Sequence, residues 1–262
     1  MDGVTTREFK DCTALVTGSS SGIGFEIAAQ LAEAGVRRLV VNGRDEARGK
    51  AAQEALRRRV PSCDTRFIAA DLRHYAQAKA LVDGTASAFG SLDIVVTSIP
   101  GHLSPQPFHL VPVEAFEEQL HSHLASVMYT CHAAMPHMIA REGGVIINLA
   151  SDAAKIATPG EAIQGACKAG VVMFSRTLAL EAARNGIRVH AITPSIVKDT
   201  SAYRRVMSSE FSQKLFAKAE KKARLGVVEP KDIAPLAVFL ASPGAAKITG
   251  QAISVNGGIS AA

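Results

Sequence analysis

The chain has 262 residues, 47% hydrophobic and 20% charged, which suits one sizeable globular α/β domain. Its net charge of +5 comes from dispersed basic residues with few aromatics between them, which argues against a nucleic-acid partner and is met by anionic small ligands. No apolar run reaches membrane-spanning length and Met1 to Lys10 lacks the apolar core of a signal peptide, so a cytoplasmic protein with no membrane partner is expected.

Strand-like runs occur at Ala14–Val16, Leu39–Val41, Thr65–Ala69, Ile94–Val96, Val145–Leu149, Arg188–Ile192 and Ile253–Val255, and helical patterns fill most of the gaps. This alternation predicts a single doubly wound, Rossmann-type α/β domain over residues 1–262. Its parallel sheet has about seven strands, helices cover both faces, and ligand binds at the carboxyl ends of the strands. Cys12, Cys63, Cys131 and Cys167 stand far apart with no metal-like spacing, so free thiols and no metal site are expected.

The first strand runs into Thr17-Gly18-Ser19-Ser20-Ser21-Gly22-Ile23-Gly24, which opens an apolar-periodic segment at Ile27, Ala28, Leu31 and Ala32. Gly18 suits backbone angles closed to other residues, and Gly22 and Gly24 allow close approach to a ligand and to the helix. Free N–H groups at the helix start would face a pyrophosphate. The strand-turn-helix setting makes this a dinucleotide site, with Ser20, Ser21 and Ile23 also lining it.

The second strand ends Asn42-Gly43-Arg44, with a glycine where NAD-selective folds carry an acid. Arg44 suits a 2′-phosphate, which favours NADP over NAD; a solvated arginine is the alternative. The third strand ends Ala70-Asp71-Leu72, where Asp71 has the alternative of capping a helix.

The T-G-x-x-x-G-x-G spacing resembles that of the short-chain dehydrogenases/reductases, and the resemblance runs from about residue 11 to the end. It implies that Asp71 and Leu72 lie beside the adenine. The family's Asn-Asn-Ala-Gly after the fourth strand reads Thr97-Ser98-Ile99-Pro100 here, followed by Gly101. Thr97 and Ser98 offer hydroxyls of shorter reach, and Pro100 removes an N–H. On the long helical pattern Val113–Met138 the family's active-site asparagine falls on His123, which either titrates as acid or base or is a packed histidine.

The resemblance further makes Ser151 the serine that hydrogen-bonds the substrate carbonyl and Lys168 the lysine that holds the ribose hydroxyls. A helix-surface lysine is the alternative for Lys168. The family tyrosine is replaced by Gln164, on the same helix face as Lys168, and an amide has no usable proton to give. None of the three tyrosines, Tyr75, Tyr129 and Tyr203, takes that position. Beyond the sixth strand the family's Pro-Gly is Pro194-Ser195, with Val197 near the nicotinamide. The threonine that bonds the carboxamide falls on Asp199, and Thr200 follows it. Residues from about 199 to 226 correspond to the family's substrate lid. Here they carry Phe211 and Leu215 on one helix face and Lys214, Lys218, Lys221 and Lys222 on another.

The resulting expectation is an NADP(H)-dependent oxidoreductase acting on a small-molecule carbonyl or alcohol, an acyl thioester or another anionic compound, with a non-standard active site. The alternatives are a non-redox lyase, dehydratase or isomerase using His123 and Ser151, or a catalytically impaired subunit. The resemblance implies a homodimer or homotetramer through Val113–Met138 and Gly165–Ala183, or a hetero-oligomer with an active homologue.

Overall fold

The computed structural model describes residues 6–99, 101 and 104–262; Pro100, whose missing N–H and fixed φ entered the expectation above, lies outside them. Seven strands form one sheet, β1 Thr13–Val16, β2 Arg38–Gly43, β3 Asp64–Ala69, β4 Ile94–Thr97, β5 Gly144–Leu149, β6 Ile187–Pro194 and β7 Ala252–Val255. Their order is β3-β2-β1-β4-β5-β6-β7 and every pairing is parallel. The expected doubly wound sheet is present, each strand starting and ending within two residues of its expected bounds.

The central strands are apolar on both faces, as a sheet covered on both sides requires. Val16, Leu39, Val41, Ile94, Val96 and Ile147 belong to one core cluster, and Leu15, Val40, Val95, Ile146 and Val189 to the other. Helices α1 (Gly22–Glu33), α2 (Glu46–Arg59) and α9 (Pro230–Ala241) contribute to the first cluster. Helices α3 (Tyr75–Phe89), α5 (Ser126–Ala140) and α6 (Ala162–Ala182) contribute to the second.

Strand order reverses between β1 and β4, where neighbouring connections leave in opposite directions and open a crevice at the carboxyl ends. Thr17 N–H donates to Val96 O at 2.9 Å and Ser98 N–H to Thr17 Oγ1 at 3.1 Å, so the glycine turn is fastened across that crevice.

The long helical pattern over Val113–Met138 is not one helix. A helix α4, Glu114–Leu120, passes into a π-helical turn, His121–Ala125, before α5 begins. The wider turn holds an extra residue at the level of His123, and such turns recur at functional sites. Two more helices, α7 (Ser201–Val206) and α8 (Glu210–Lys222), form a segment closed at its base. Val197 pairs with Val228, Lys198 N–H donates to Val228 O at 2.9 Å, and Leu225 N–H donates to Gly257 O at 3.0 Å.

Candidate functional site at the carboxyl ends of the strands

The glycine turn is built so tightly that its sequence is dictated. Gly18 has φ of 57°, and a Cβ there would lie 1.9 Å from Ser98 O. A Cβ at Gly24 would lie 2.8 Å from Gly18 O. Ser19 and Asn42 brace the turn from beneath. Ser19 Oγ donates to Val16 O at 2.6 Å and accepts from Asn42 N–H at 3.0 Å, while Asn42 Nδ2 donates to Ile68 O and Ala70 O. Sequence reasoning missed both residues; a buried asparagine at a strand end was the available signal.

Ser21 stands at the N-cap of α1 without making a side-chain capping bond. The first N–H groups of α1 therefore meet a bare-backbone turn, which fits a phosphate. Ile23 is half-buried beside the turn and packs on the core. Ser20 lies against Gly43, where a Cβ would come within 3.2 Å of its hydroxyl, so the acid of an NAD-selective fold would crowd this turn.

Arg44 is exposed at the end of β2. Arg48, one turn into α2, reaches back with Nη2 donating to Ser21 Oγ at 3.4 Å. It is a second cation at the turn that the sequence reading did not single out. Asp71 is engaged by Arg73, whose Nε and Nη2 both donate to its carboxylate. Arg73, with Arg44 nearby, holds the Asp71 carboxyl below the usual range. Leu72 is buried in the core. Thr97 is also fully buried, and its hydroxyl donates to Asn148 Oδ1 at 2.8 Å. Asn148 Nδ2 in turn donates to Ser175 Oγ at 2.9 Å, so this polar chain ties β4, β5 and α6 together.

Ser151 follows β5 and starts a short turn, Asp152–Ala154, where Ala153 N–H donates to Ser151 Oγ at 3.2 Å. The start of α6 presses on this turn. A Cβ at Gly165 would lie 3.1 Å from Ala153 O, which carries Gln164 to the same strand end. Lys168, one turn on, is buried, and its ammonium donates to Leu149 O at 3.0 Å. Burial pulls the Lys168 pKa down to about 8.

His123 is 2% exposed. Gly101 lies directly on its ring, where a Cβ would come within 2.2 Å of Nε2, so any side chain at 101 would displace the imidazole. Arg205 of α7 donates to Gly101 O and Ser212 Oγ of α8 donates to Pro105 O at 3.3 Å. Phe211 packs on Gly160, and Gln106 N–H donates to Gly160 O at 3.0 Å. Three segments thus meet over the strand ends, the loop 104–106, the loop before α6, and helices α7 and α8. They leave an open cleft of about 350 Å³ lined by Gln119, Glu161 and Gln164 among others.

The tyrosine hydroxyls that bond side chains do so outside this cleft. Tyr203 donates to Glu220 Oε1 at 3.0 Å, and Tyr75 pairs with His132 Nδ1 at 2.9 Å; neither Tyr129 nor these two line the cleft. Asp199 takes φ of 58° and is exposed. Thr200 is buried and caps α7, and its methyl lies about where a Cβ on Gly22 would touch it, at 3.5 Å. Of the two candidates beyond the sixth strand, Thr200 is the one beside the glycine turn. Val197 is buried at the base of the segment.

The four cysteines are buried, and burial pushes each thiol up, Cys131 to about 12. None is a ready nucleophile. Among the described residues no group of three or more His, Cys, Asp or Glu is placed to hold a metal, and no helix is long and apolar enough to cross a membrane.

A family model described as Enoyl-(Acyl carrier protein) reductase matches residues 18–260. The chain is 33% identical over 247 residues to the 3-oxoacyl-[acyl-carrier-protein] reductase FabG of Staphylococcus aureus, covering 94% of this chain and 97% of that protein. A short-chain type dehydrogenase/reductase from Mycobacterium ulcerans superposes with a TM-score of 0.89 at 27% identity, covering 97% of this chain and 91% of that one. The 3-ketoacyl-(acyl-carrier-protein) reductase of Brucella melitensis, solved in complex with NADH, gives 0.85 at 30% identity, covering 97% and 100%. With the sheet order, the glycine turn and these matches in agreement, the chain belongs to the short-chain dehydrogenase/reductase family of oxidoreductases.

Proposed function

We propose that this protein is an NADP(H)-dependent reductase or dehydrogenase acting on the carbonyl or alcohol of a small molecule, a 3-oxoacyl thioester or a similar anionic compound. Its active site has Gln164 in the place of the family's tyrosine. The observation that carries this reading is the packing of the start of α6, which bears Gln164 and Lys168, on the turn that Ser151 opens at the end of β5, in a sheet whose glycine turn leaves no space for side chains at 18 and 24.

Gly18, Ser20, Ser21, Gly22, Ile23 and Gly24 would hold the pyrophosphate. Arg44 and Arg48 would hold a 2′-phosphate, Leu72 would border the adenine, and Thr200 and Val197 the nicotinamide end. Asp71 reaches an adenine amino group if it trades part of its pairing with Arg73. The cofactor, when bound, supplies the hydride. Ser151 holds the substrate oxygen by its hydroxyl and so favours charge building there. Lys168 is anchored on Leu149 O and presents its remaining protons to ribose hydroxyls.

Exposed apolar side chains on α5 and α6, Met128, Ile139, Met173 and Leu180, support assembly as a homodimer or homotetramer through these helices.

The test has two parts. Titration of NADPH and then NADH, followed by the fluorescence of the reduced nicotinamide, should show micromolar NADPH binding and much weaker NADH binding. Reduction of a 3-oxoacyl thioester with NADPH should then be measurable in the wild type or, with a phenol added, in Gln164→Tyr, since a positioned general acid contributes about 10²–10⁴-fold. Bound NADPH with no reduction of any carbonyl in either protein would count against the reading.

A further inference from the structure

Glu161, at the N-cap of α6, stands three residues before Gln164 and the two side chains meet. Its Oε1 lies 3.5 Å from Gln164 Nε2, at the long limit of a hydrogen bond. Glu161 occupies the N-cap position of α6 yet its side chain makes no capping bond to the helix backbone, which leaves its carboxyl to the cleft. Both residues line the 350 Å³ cleft together with Gln119, and Glu161 is the one ionisable group among the described residues that line it. The other polar side chains there are amides and a hydroxyl, none of which gives up a proton near neutrality.

Among the described residues the cleft wall brings no cation to Glu161; α8, whose Phe211 packs on Gly160, carries Glu210 and Lys214 paired to each other on its exposed face. The segments 104–106 and 108–111 bring no charge to the cleft wall, and α4 brings the amide of Gln119. The turn after β5 brings Asp152, buried and held by Ser260 Oγ at 2.7 Å and Asn256 Nδ2 at 3.4 Å. Burial, and then the charge of Asp152, push the Glu161 carboxyl up to about 7. A group divided between acid and carboxylate at neutral pH is the kind an acid–base step needs.

We propose that Glu161 is the acid–base residue of this cleft, giving its proton to the substrate oxygen in reduction and taking it back in oxidation. This rests on the reading of the protein as a carbonyl reductase. In the step, the carbonyl carbon gains a hydride from reduced nicotinamide and the π pair moves onto oxygen. That oxygen takes the proton from Glu161, which is left as the carboxylate, and solvent restores the acid. Gln164 Nε2, donating to Oε1, keeps the carboxyl aimed into the cleft and leaves the other oxygen to carry the proton. A tyrosine at 164 would supply a phenol in the same region; here the acid comes from three residues earlier.

Two measurements test this. Carbon-13 NMR of glutamate-labelled protein, with the Glu161 signal assigned by its loss in Glu161→Gln, should show a carboxyl titrating near 7; titration below about pH 5, the ordinary range, overturns the proposal whatever the activity. Reduction of a 3-oxoacyl thioester with NADPH should fall as pH rises past about 7 in the wild type. Glu161→Gln should lose roughly 10²-fold in kcat and lose that pH limb, Glu161→Asp should keep the limb, and NADPH affinity should be the same in all three. Reduction that survives Glu161→Gln with its limb intact overturns the assignment of Glu161 alone. A wild type that binds NADPH but reduces no carbonyl overturns the reductase reading and this proposal together.

Discussion

The two halves of the crevice are built on different principles. On the β1–α1 side backbone meets backbone, Gly18 against Ser98 and Gly24 against Gly18, and each contact is closed to any residue with a Cβ. On the α6 side the walls are side chains from three separated segments, with Phe211 on Gly160, Arg205 on Gly101 and Glu161 beside Gln164. The first half requires glycine at 18 and 24 because sterics decide it. The second admits many sequences, because a proton donor needs only to reach the substrate oxygen, and any of several positions can supply it. Under the proposed function, the first half holds the cofactor and the second supplies the proton donor.

The strongest way to break this contrast is Gly18→Ala. A left-handed φ and a backbone overlap together cost about 3 kcal/mol or more. At roughly 2–4 °C per kcal/mol for a chain of this size, the thermal midpoint should fall by about 6–12 °C. Calorimetry of the variant, with a parallel NADPH titration showing loss of binding, checks this. A midpoint within a degree of wild type would mean that the turn relaxes freely.

Arg44→Ala acts at the edge of the same half. It should weaken NADPH by roughly 10- to 100-fold and leave NADH nearly unchanged, since a charge-assisted bond to a 2′-phosphate is worth about 1.5–3 kcal/mol. Equal losses for both cofactors would remove Arg44 from the 2′-phosphate site.

Within the α6 half, two groups respond to pH with opposite sign. Glu161 is raised from 4.5 to about 7, so the folded state binds more protons than the unfolded one in that window and stability falls as pH rises through it. Lys168 is lowered from 10.5 to about 8, so the folded state binds fewer protons between those values and stability rises with pH there. Urea denaturation at a series of pH values should show the first slope vanish in Glu161→Gln and the second vanish in Lys168→Met. Smallest of all should be Tyr203→Phe, which removes the bond to Glu220 between α7 and α8 and should cost about 1 kcal/mol with turnover close to wild type. A large loss of turnover would bring that phenol into the chemistry.

The fold was open to reading from the sequence because its signals are local. Apolar runs such as Ala14–Val16 and Val145–Leu149, each followed by turn residues, fall on strands with small errors at the ends. The glycine turn was legible for the same reason, since its contacts lie within one β–α connection. Glu161 was not, because its significance depends on burial, on Asp152 arriving from the turn after β5, and on a cleft wall drawn from segment 104–111. Nothing in Gly160-Glu161-Ala162 marks it apart from an ordinary helix start. The break in the pattern over Val113–Met138 was hidden too, because a π turn keeps helical periodicity while adding one residue.

That added residue has a consequence for deletion. Each residue turns an α-helix by about 100°, so a deletion inside a regular helix would swing everything beyond it out of register. Removing one residue from His121–Ala125 instead narrows the π turn to α geometry and leaves the frame of α5 in place. Cys131 would stay beside Asn148 and Met138 beneath Gly144. The imidazole under Gly101 would be carried off its seat. Position 123 is therefore a place where the chain can shorten by one residue, repacking the contact between His123 and Gly101 and sparing the core behind it.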